Sequence, residues 1–386
     1  LILSQQLGWI GVDVGTHTVK LAQVVRDGLV VRLHRAAVIQ RPTSWPAGDN
    51  LSLQQSISTS SEIRAALECG TFRGRNAICL LPMNVCQFRG LKVPPGSDVE
   101  RRAMIADELA EEWAPLRNTM EFDFWEIDAD QPDKASDGFN VSVLAASRHW
   151  LGQLWRDCRQ NGLDCWGVDG VPLAMARAVS LVGGTAGGRR CLAIDWGYSN
   201  TTLCIVADGH PRYSRRIHHC SFGRVLEAIM ETFDVTLDEA QHLADTQGLS
   251  AASLESPQPI ARGLGVPAGG GTTGEPSSTA TDPQIQATIT HATADLLDEL
   301  VRQINRTLQF MESQRSEFHA SAAWLMGGGA AMRNIAPYLA NILKLPVHVW
   351  NMEVDADSVL PACAFGRSRA LFANAAALSA AAWRAA

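Results

Sequence analysis

One stretch of this chain occurs twice. "IGVDVGTHTVKLAQVVRDG" starts at Ile10 and "LAIDWGYSNTTLCIVADG" starts at Leu192. Asp13 falls on Asp195, 182 positions apart (195 − 13), and the same offset puts Gly15 on Gly197, Leu21 on Leu203 and Val24 on Val206. Each copy is an apolar, β-branched run, a short polar interruption around one glycine, and a second such run ending in an Asp-Gly turn. That pattern predicts strand, tight turn, strand, turn. A lone Asp-x-Gly would be only a turn. Two copies in one setting predict a duplicated α/β unit, and 386 residues are enough for two or three folded units.

The rest of the sequence fills in those halves. "VVRLHRAAVI" predicts a third strand that completes a meander with Ile10–Asp13 and Lys20–Val25. Residues 40–60, with Pro42, Pro46 and Gly48, read as a loop, and "SSEIRAALECG" as a short helix. "NAICLLP" (76–82), "VCQFRGLKV" (85–93), "MEFDFWEID" and "FNVSVLAAS" read as strands. "DVERRAMIADELAEEWAPL" (98–116) and "RHWLGQLWRDCRQNG" read as amphipathic helices. "CWGVDGVPLAMARAVSLVGG" is a strand running into a helix, in which Asp169 is expected to cap the helix. Residues 223–245 read as helical. Between about 250 and 284 the composition falls to Ser, Pro, Gly, Thr and Ala, which predicts a flexible excursion. A long helix resumes at Ile285, followed by "AAWLMGGGAAM", a strand emptying into three glycines, then a helix and closing strand in "IAPYLANILKLPVHVW".

Bulk properties exclude some functions. A 46% apolar content with 19% charged residues suits a chain with a real core. The net charge of −7 argues against nucleic acid or an anionic membrane surface as a general partner. No apolar run reaches the roughly 18 residues of a membrane span. The opening Leu-Ile-Leu lacks the length and basic flank of a secretory signal, and a start at Leu1 leaves the natural N-terminus open. Nine cysteines, an odd count with no Cys-x-x-Cys, fit reduced thiols in a cytoplasm. His218, His219 and Cys220 are adjacent, a spacing from which three side chains do not readily converge on one ion.

The twin turns carry the chemistry of a phosphate site. Gly15 and Gly197 remove side chains where backbone N–H groups would approach phosphate oxygens. Thr16, Thr18, Ser199, Asn200 and Thr201 add short donors at the same tips, and Lys20 adds positive charge. Asp13 and Asp195 are placed to reach a magnesium ion through its waters. Gly327, Gly328 and Gly329, between a strand and a helix, leave room for a flat base or sugar. Neither a Walker loop nor a Rossmann fingerprint is present.

Two Asp-x-Gly hairpins and a late glycine triplet resemble the actin-like ATPase superfamily, whose members are duplicated ribonuclease-H-like folds with two domains around a nucleotide cleft. The match is closest to the PilM family of type IV pilus assembly, a relative of FtsA, on "GVDVGTHTVKLAQV", "LLPMNVCQFRGLKVPP", "DELAEEWAPL", "GLDCWGVDGVPLAMARAV", "AIDWGYSNTTLCIV", "TLDEAQHLA" and "LMGGGAAMRNIAPYLANILKLPVHVW". The resemblance implies a first domain over 7–75 and 166–190, to which a helix at 358–375 returns. It implies an inserted α+β subdomain of the PilM/FtsA type at 76–165 and a second domain over 191–357. It also implies ATP with magnesium, bound by Asp13, Gly15, Thr16, Thr18 and Lys20, by Asp195, Gly197, Ser199, Asn200 and Thr201, by Gly223, and by Gly327, Gly328 and Gly329. Asp13 and Asp195 are the water-mediated magnesium residues. No catalytic residue is expected, and at most slow ATPase turnover.

The implied function is a cytoplasmic scaffold, peripheral to the inner membrane through a PilN-like partner whose N-terminal peptide it grips, in a pilus or type II secretion platform; self-association stays open. Three features depart from the family. Trp113-Ala114-Pro115-Leu116 stands where members carry Tyr-Ile-Pro-Phe. Gln241 and Ala244 replace an acid and a lysine that flank ribose and base. Trp196 and Tyr198 add bulk beside the second phosphate turn. A small-molecule kinase of the superfamily would need a carboxylate base, for which Asp169 is the nearest candidate. An FtsA-like filament protein would end in a basic amphipathic helix, whereas "RALFANAAALSAAAWRAA" reads as a packing helix or a frayed end.

Overall fold

A computed structural model describes residues 5–42, 58–83, 85–112, 119–126, 139–185, 188–250, 281–314, 319–356, 358 and 368–383. Along the chain come β1 (Gln6–Leu7), β2 (Ile10–Val14), β3 (Thr18–Asp27), β4 (Val30–Gln40), α1 (Ser60–Gly70), β5 (Asn76–Leu80), β6 (Cys86–Val93) and α2 (Asp98–Glu112). Then follow β7 (Met120–Glu126), β8 (Phe139–Ser147), α3 (Arg148–Gln160), β9 (Asp164–Asp169) and α4 (Val171–Leu181). The remainder holds β10 (Arg190–Trp196), β11 (Thr201–Ala207), β12 (His210–Ile217), α5 (Phe222–Phe233), α6 (Leu237–Thr246), α7 (Pro283–Gln314), β13 (Ala322–Met326), α8 (Ile335–Leu343), β14 (Val347–Val349) and α9 (Ala373–Ala380).

The duplication is visible in the sheets. The first runs β4-β3-β2-β5-β9, with the short β1 beside β2 on the same side of β3, and the second runs β12-β11-β10-β13-β14. In each, a three-stranded antiparallel meander is followed by two strands parallel to its first member. Registers repeat residue for residue: Gly11 opposes Ala22 as Ala193 opposes Cys204, and Asp13 opposes Lys20 as Asp195 opposes Thr202. Even the irregularity repeats, since pairing slips between Gln23 and Val24 and again between Ile205 and Val206, a bulge that adds local twist. Register is strongly specified when both faces of a sheet are buried, which is why the two copies agree so closely.

One face of the first sheet, with Ile10, Val12, Ala77 and Cys79, packs on Ile63 and Ala66 of α1 and on Trp150, Leu154 and Cys158 of α3. The opposite face takes α9 at very close range. A Cβ on Gly11 would lie 1.9 Å from the Ala375 carbonyl oxygen, so only glycine lets that helix settle on the strand. The alanine-rich tail is therefore a buried packing helix between β2 and α4. On its other side α4 meets the second sheet, where the Trp350 indole donates to the Ala178 carbonyl at 2.8 Å and Cys204 lies 3.8 Å from the Pro172 oxygen. The two halves thus share one continuous core.

A third sheet, β6-β8-β7, has its own small core with α2, built from Val93, Ile105, Leu109, Met120, Val141, Val143 and Ala145. Several boundaries differ from those expected. β5 pairs with β2, and β9 with β5, in the first sheet, so the inserted sheet begins at Cys86 rather than at 76 and ends at Ser147. The expected helix over 223–245 is two helices, broken at Asp234, which adopts a left-handed conformation. A capping box in which Thr236 and Glu239 bond each other's backbone starts the second. Asp169 does not cap α4: Gly170 holds that position, and the Asp169 carboxylate pairs with Arg177 at 2.8 Å. Among the described residues seven cysteines are free thiols and Cys69 is disulfide-bonded, a departure from the expectation of reduced thiols. Of the returning helix expected at 358–375, residues 359–367 lie outside the described residues, and a helix is described at Ala373–Ala380. Residues 251–280 of the Gly/Ser/Pro-rich excursion expected over 250–284, Trp113–Leu116 and most of the loop at 40–60 lie outside the described residues, and α7 already begins at Pro283.

Candidate functional site

Both hairpin tips are built the same way. Gly15 N–H donates to the Thr18 carbonyl at 2.9 Å, and Gly197 N–H donates to the Asn200 carbonyl at 2.9 Å. A side chain at either glycine would crowd that same carbonyl, with a Cβ 2.8 Å from it at Gly15 and 3.0 Å at Gly197. The glycines therefore make the turns possible, and their own N–H groups are spent inside them. The tips converge on a cavity of about 410 Å³ between the two halves, within the usual range for small-molecule sites.

Eleven of the fourteen predicted binding residues line this cavity: Asp13, Gly15, Thr16, Thr18, Lys20, Asp195, Gly197, Ser199, Asn200, Gly327 and Gly328. The other three support it from behind. Thr201 is fully buried and donates its hydroxyl to the Cys220 carbonyl at 3.0 Å. Gly223 leaves room for the second tip, since a Cβ there would lie 2.4 Å from the Tyr198 carbonyl oxygen. Gly329 makes room for Trp196, whose ring would be 2.4 Å from an added Cβ. Trp196 itself, expected to add bulk to the binding loop, turns inward: it is 1% exposed, donates to the Cys220 carbonyl at 2.9 Å and packs edge-on to Phe222.

The two acids differ in their partners. Lys20 Nζ lies 2.7 Å from Asp13 Oδ2, with both side chains largely buried. The equivalent position opposite Asp195 is Thr202, which brings no charge. Asp195 instead accepts from Asn374 Nδ2 of α9 at 2.9 Å. Burial raises its carboxyl above the usual aspartate range; Lys20 opposes this, the like charge of Asp13 adds to it, and the Asn374 bond opposes it. Two carboxylates with one ammonium leave the cleft floor acidic, an environment that favours a cation. Gly327 closes the floor at φ +85°, where a Cβ would meet Asp195 Oδ1 at 2.3 Å.

The mouth is formed by α6 and α5. Gln241 lines it and donates to Asp245 Oδ1 at 2.8 Å. Ala244 is buried beneath and does not line it. Asp238 and Asp245 were missed in the sequence reading; each lies one helical turn from Gln241 on the same face of α6 (i−3 and i+4), which is a legible signal. Above the tips, Thr16 Oγ1 donates to Ser199 Oγ at 2.7 Å, and the His17 and Tyr198 rings stack with centroids 4.0 Å apart. Burial lowers the His17 imidazole below its usual value, with Asp238 opposing.

No protein-family model matches the sequence, and no curated protein matches it. Among solved structures, a chain of the "PilM-PilN type IV pilus biogenesis complex" superposes with a TM-score of 0.67 at 19% identity, covering 97% of this chain and 98% of that one. This chain has the actin-like fold. Two sheets flank the cleft, and the β6-β8-β7 sheet is inserted in the chain between β5 and β9 of the first. The ethanolamine utilization protein EutJ from Carboxydothermus hydrogenoformans superposes more loosely, with a TM-score of 0.47 at 11% identity over 97% of this chain and 89% of that one. No helix among the described residues is long and apolar enough to cross a membrane.

Proposed function

We propose that the chain is an actin-like, nucleotide-binding scaffold of a type IV pilus or type II secretion-like assembly platform. The observation that carries the nucleotide reading is the convergence of two identically registered hairpins, with Asp13, Lys20 and Asp195, on one cavity of about 410 Å³. The donor set fits magnesium with a nucleotide. Asp13 and Asp195 would hold the ion through its waters, and Lys20 with the hydroxyls of Thr16, Thr18 and Ser199 would face the phosphates. When bound, the ion and phosphates would supply charge compensation and a clamp between the halves. Asp169, the nearest candidate base in the sequence, is tied to Arg177 and is not among the residues that line the cavity. Calorimetry with Mg-ATP tests this reading; no heat at millimolar ligand sinks it.

The partner reading rests on the inserted subdomain and on the likeness to a chain solved in a PilM–PilN complex. Among the described residues β6 and β7 are the outer strands of the three-stranded sheet, on which an extended peptide would add a strand or fill a groove. The occupant proposed is the N-terminal cytoplasmic peptide of a PilN-like membrane protein. That partner would hold the chain at the cytoplasmic face of the inner membrane, without a lipid anchor or nucleic acid. A fluorescent peptide of that kind should bind the full chain at micromolar concentration, and absence of binding at high micromolar concentration would count against the scaffold role.

A further inference from the structure

Away from the cleft, three cysteines from three separate elements meet. Cys79 lies on β5, between β2 and β9 in the first sheet, Cys158 on α3 and Cys165 on β9. The Cys79 and Cys158 sulfurs are 3.3 Å apart, Cys165 Sγ is 3.8 Å from Cys79 Sγ, and all three lie within 4.8 Å of one another. The fold builds this meeting in two steps. Cys79 shares a sheet face with Ala77, on the side where α3 lays Cys158. The β5–β9 ladder then slips: Ala77 pairs with Cys165 and Ile78 with Gly167, so Trp166 is the extra residue. Before that bulge, Cys165 stands opposite Ala77 and so on the diagonal to Cys79, and Trp166 is left 66% exposed.

We infer that Cys79, Cys158 and Cys165 form a three-sulfur site for a thiophilic metal ion, Cu(I) in particular. Metal–sulfur bonds of about 2.3 Å place trigonal or tetrahedral ligands about 3.8–4.0 Å apart; the Cys79–Cys165 separation of 3.8 Å meets that span, the Cys79–Cys158 separation of 3.3 Å is shorter, and all three sulfurs lie within 4.8 Å. Among the described residues no histidine, carboxylate or fourth cysteine completes the group. That disfavours structural zinc, which wants four ligands, and favours Cu(I), which soft thiolates select. The surroundings are apolar, with Leu154, Trp150 and Leu163 in the same core. A disulfide needs two sulfurs, not three. Cys165 is partly exposed on the edge strand and offers the entry path. Loading exchanges thiol protons for the metal and releases them to water, with no change of oxidation state.

The test uses the full chain, reduced and free of oxygen, titrated with Cu(I) against a competing chromogenic chelator. One Cu(I) per chain is expected to be withheld from the chelator, with a rise in melting temperature and X-ray absorption showing only sulfur neighbours at about 2.3 Å. Cys165→Ser, isosteric and at a partly exposed position, should lose at least tenfold in affinity while folding normally. The inference is overturned if no Cu(I) is retained, if Cys165→Ser binds it equally well, if Zn(II) binds in its place, or if two of the thiols are found joined as a disulfide in the native protein.

Discussion

His17 stacks on Tyr198 across the cleft, ring centroids 4.0 Å apart and planes within 13°. Its neighbour Thr16 bonds Ser199 at 2.7 Å. In the duplicated sequence Thr16 is equivalent to Tyr198 and His17 to Ser199, so each tip presents its first residue to the other tip's second. That is the reciprocal pairing of a two-fold interface, here within one chain. The two contacts form a clasp that joins the halves in front of the cavity.

Loss of the clasp should loosen the halves without unfolding either. His17→Ala removes one ring of a pair worth about 0.5–1.5 kcal/mol. The expected result is faster proteolysis between the domains and a small drop in melting temperature. The clasp also carries a pH dependence. The folded His17 pKa is below the unfolded value of about 6.5, so the neutral ring is favoured. Its contribution is present above that pH and is lost as pH falls through the lowered folded value. His17→Phe keeps a ring and cannot titrate, so its stability should vary less between pH 7 and 5 in urea unfolding; an unchanged profile would remove His17 as the cause.

Lys20 should be worth far more than a surface cation. Asp13 keeps only 6% side-chain exposure beside it, and removing one member of a buried pair typically costs about 3–5 kcal/mol. Lys20→Met should therefore destabilise strongly in urea titrations, and Asp13→Asn added to it should restore most of the loss. If the double variant is no more stable than the single, the pair is not coupled.

Asp195 should behave in the opposite sense. Its carboxyl is raised in the folded chain, so the folded state holds the proton more tightly than the unfolded one. Stability then falls as pH rises from the unfolded value near 3.9 through the raised folded value, and stays level above it. Asp195→Asn can still accept from Asn374 and carries no charge. Without magnesium or nucleotide it should be more stable than the parent at pH 7, with the gap narrowing as pH falls. With Mg-ATP the order should reverse, because the parent gains a ligand that the variant holds poorly.

Much of this arrangement was legible from two short segments. Alternation and β-branching around Gly15 and Gly197 give the hairpins, and the shared offset gives their common register. The direction of Trp196 was not legible, because an indole beside a glycine loop reads equally as ligand platform or core, and only the carbonyl of Cys220 decides it. The break at Asp234 had a signal in Thr236-x-x-Glu239 that a continuous apolar pattern masked. β5 reads equally as part of the insertion, because an apolar strand carries no mark of which sheet it joins. The three-thiol group spans positions 79 to 165 and depends on one bulge, which no spacing rule encodes.

Gly329 offers the sharpest separation of packing from binding. As part of a glycine triplet it reads as a residue cleared for a ligand, yet an added Cβ would strike the Trp196 ring at 2.4 Å. Trp196 is 1% exposed and held by the Cys220 carbonyl, so it has little room to yield. Gly329→Ala should then overpack the core and cost about 1–3 kcal/mol, read as a lowered urea midpoint with an unchanged slope. Trp196→Leu opens space beneath the loop, so the two changes should be non-additive: alanine at 329 should cost less in the leucine background. Nucleotide affinity of Gly329→Ala, measured well below its melting temperature, should stay within a few-fold of the parent. A large affinity loss with no loss of stability would instead place Gly329 against the ligand.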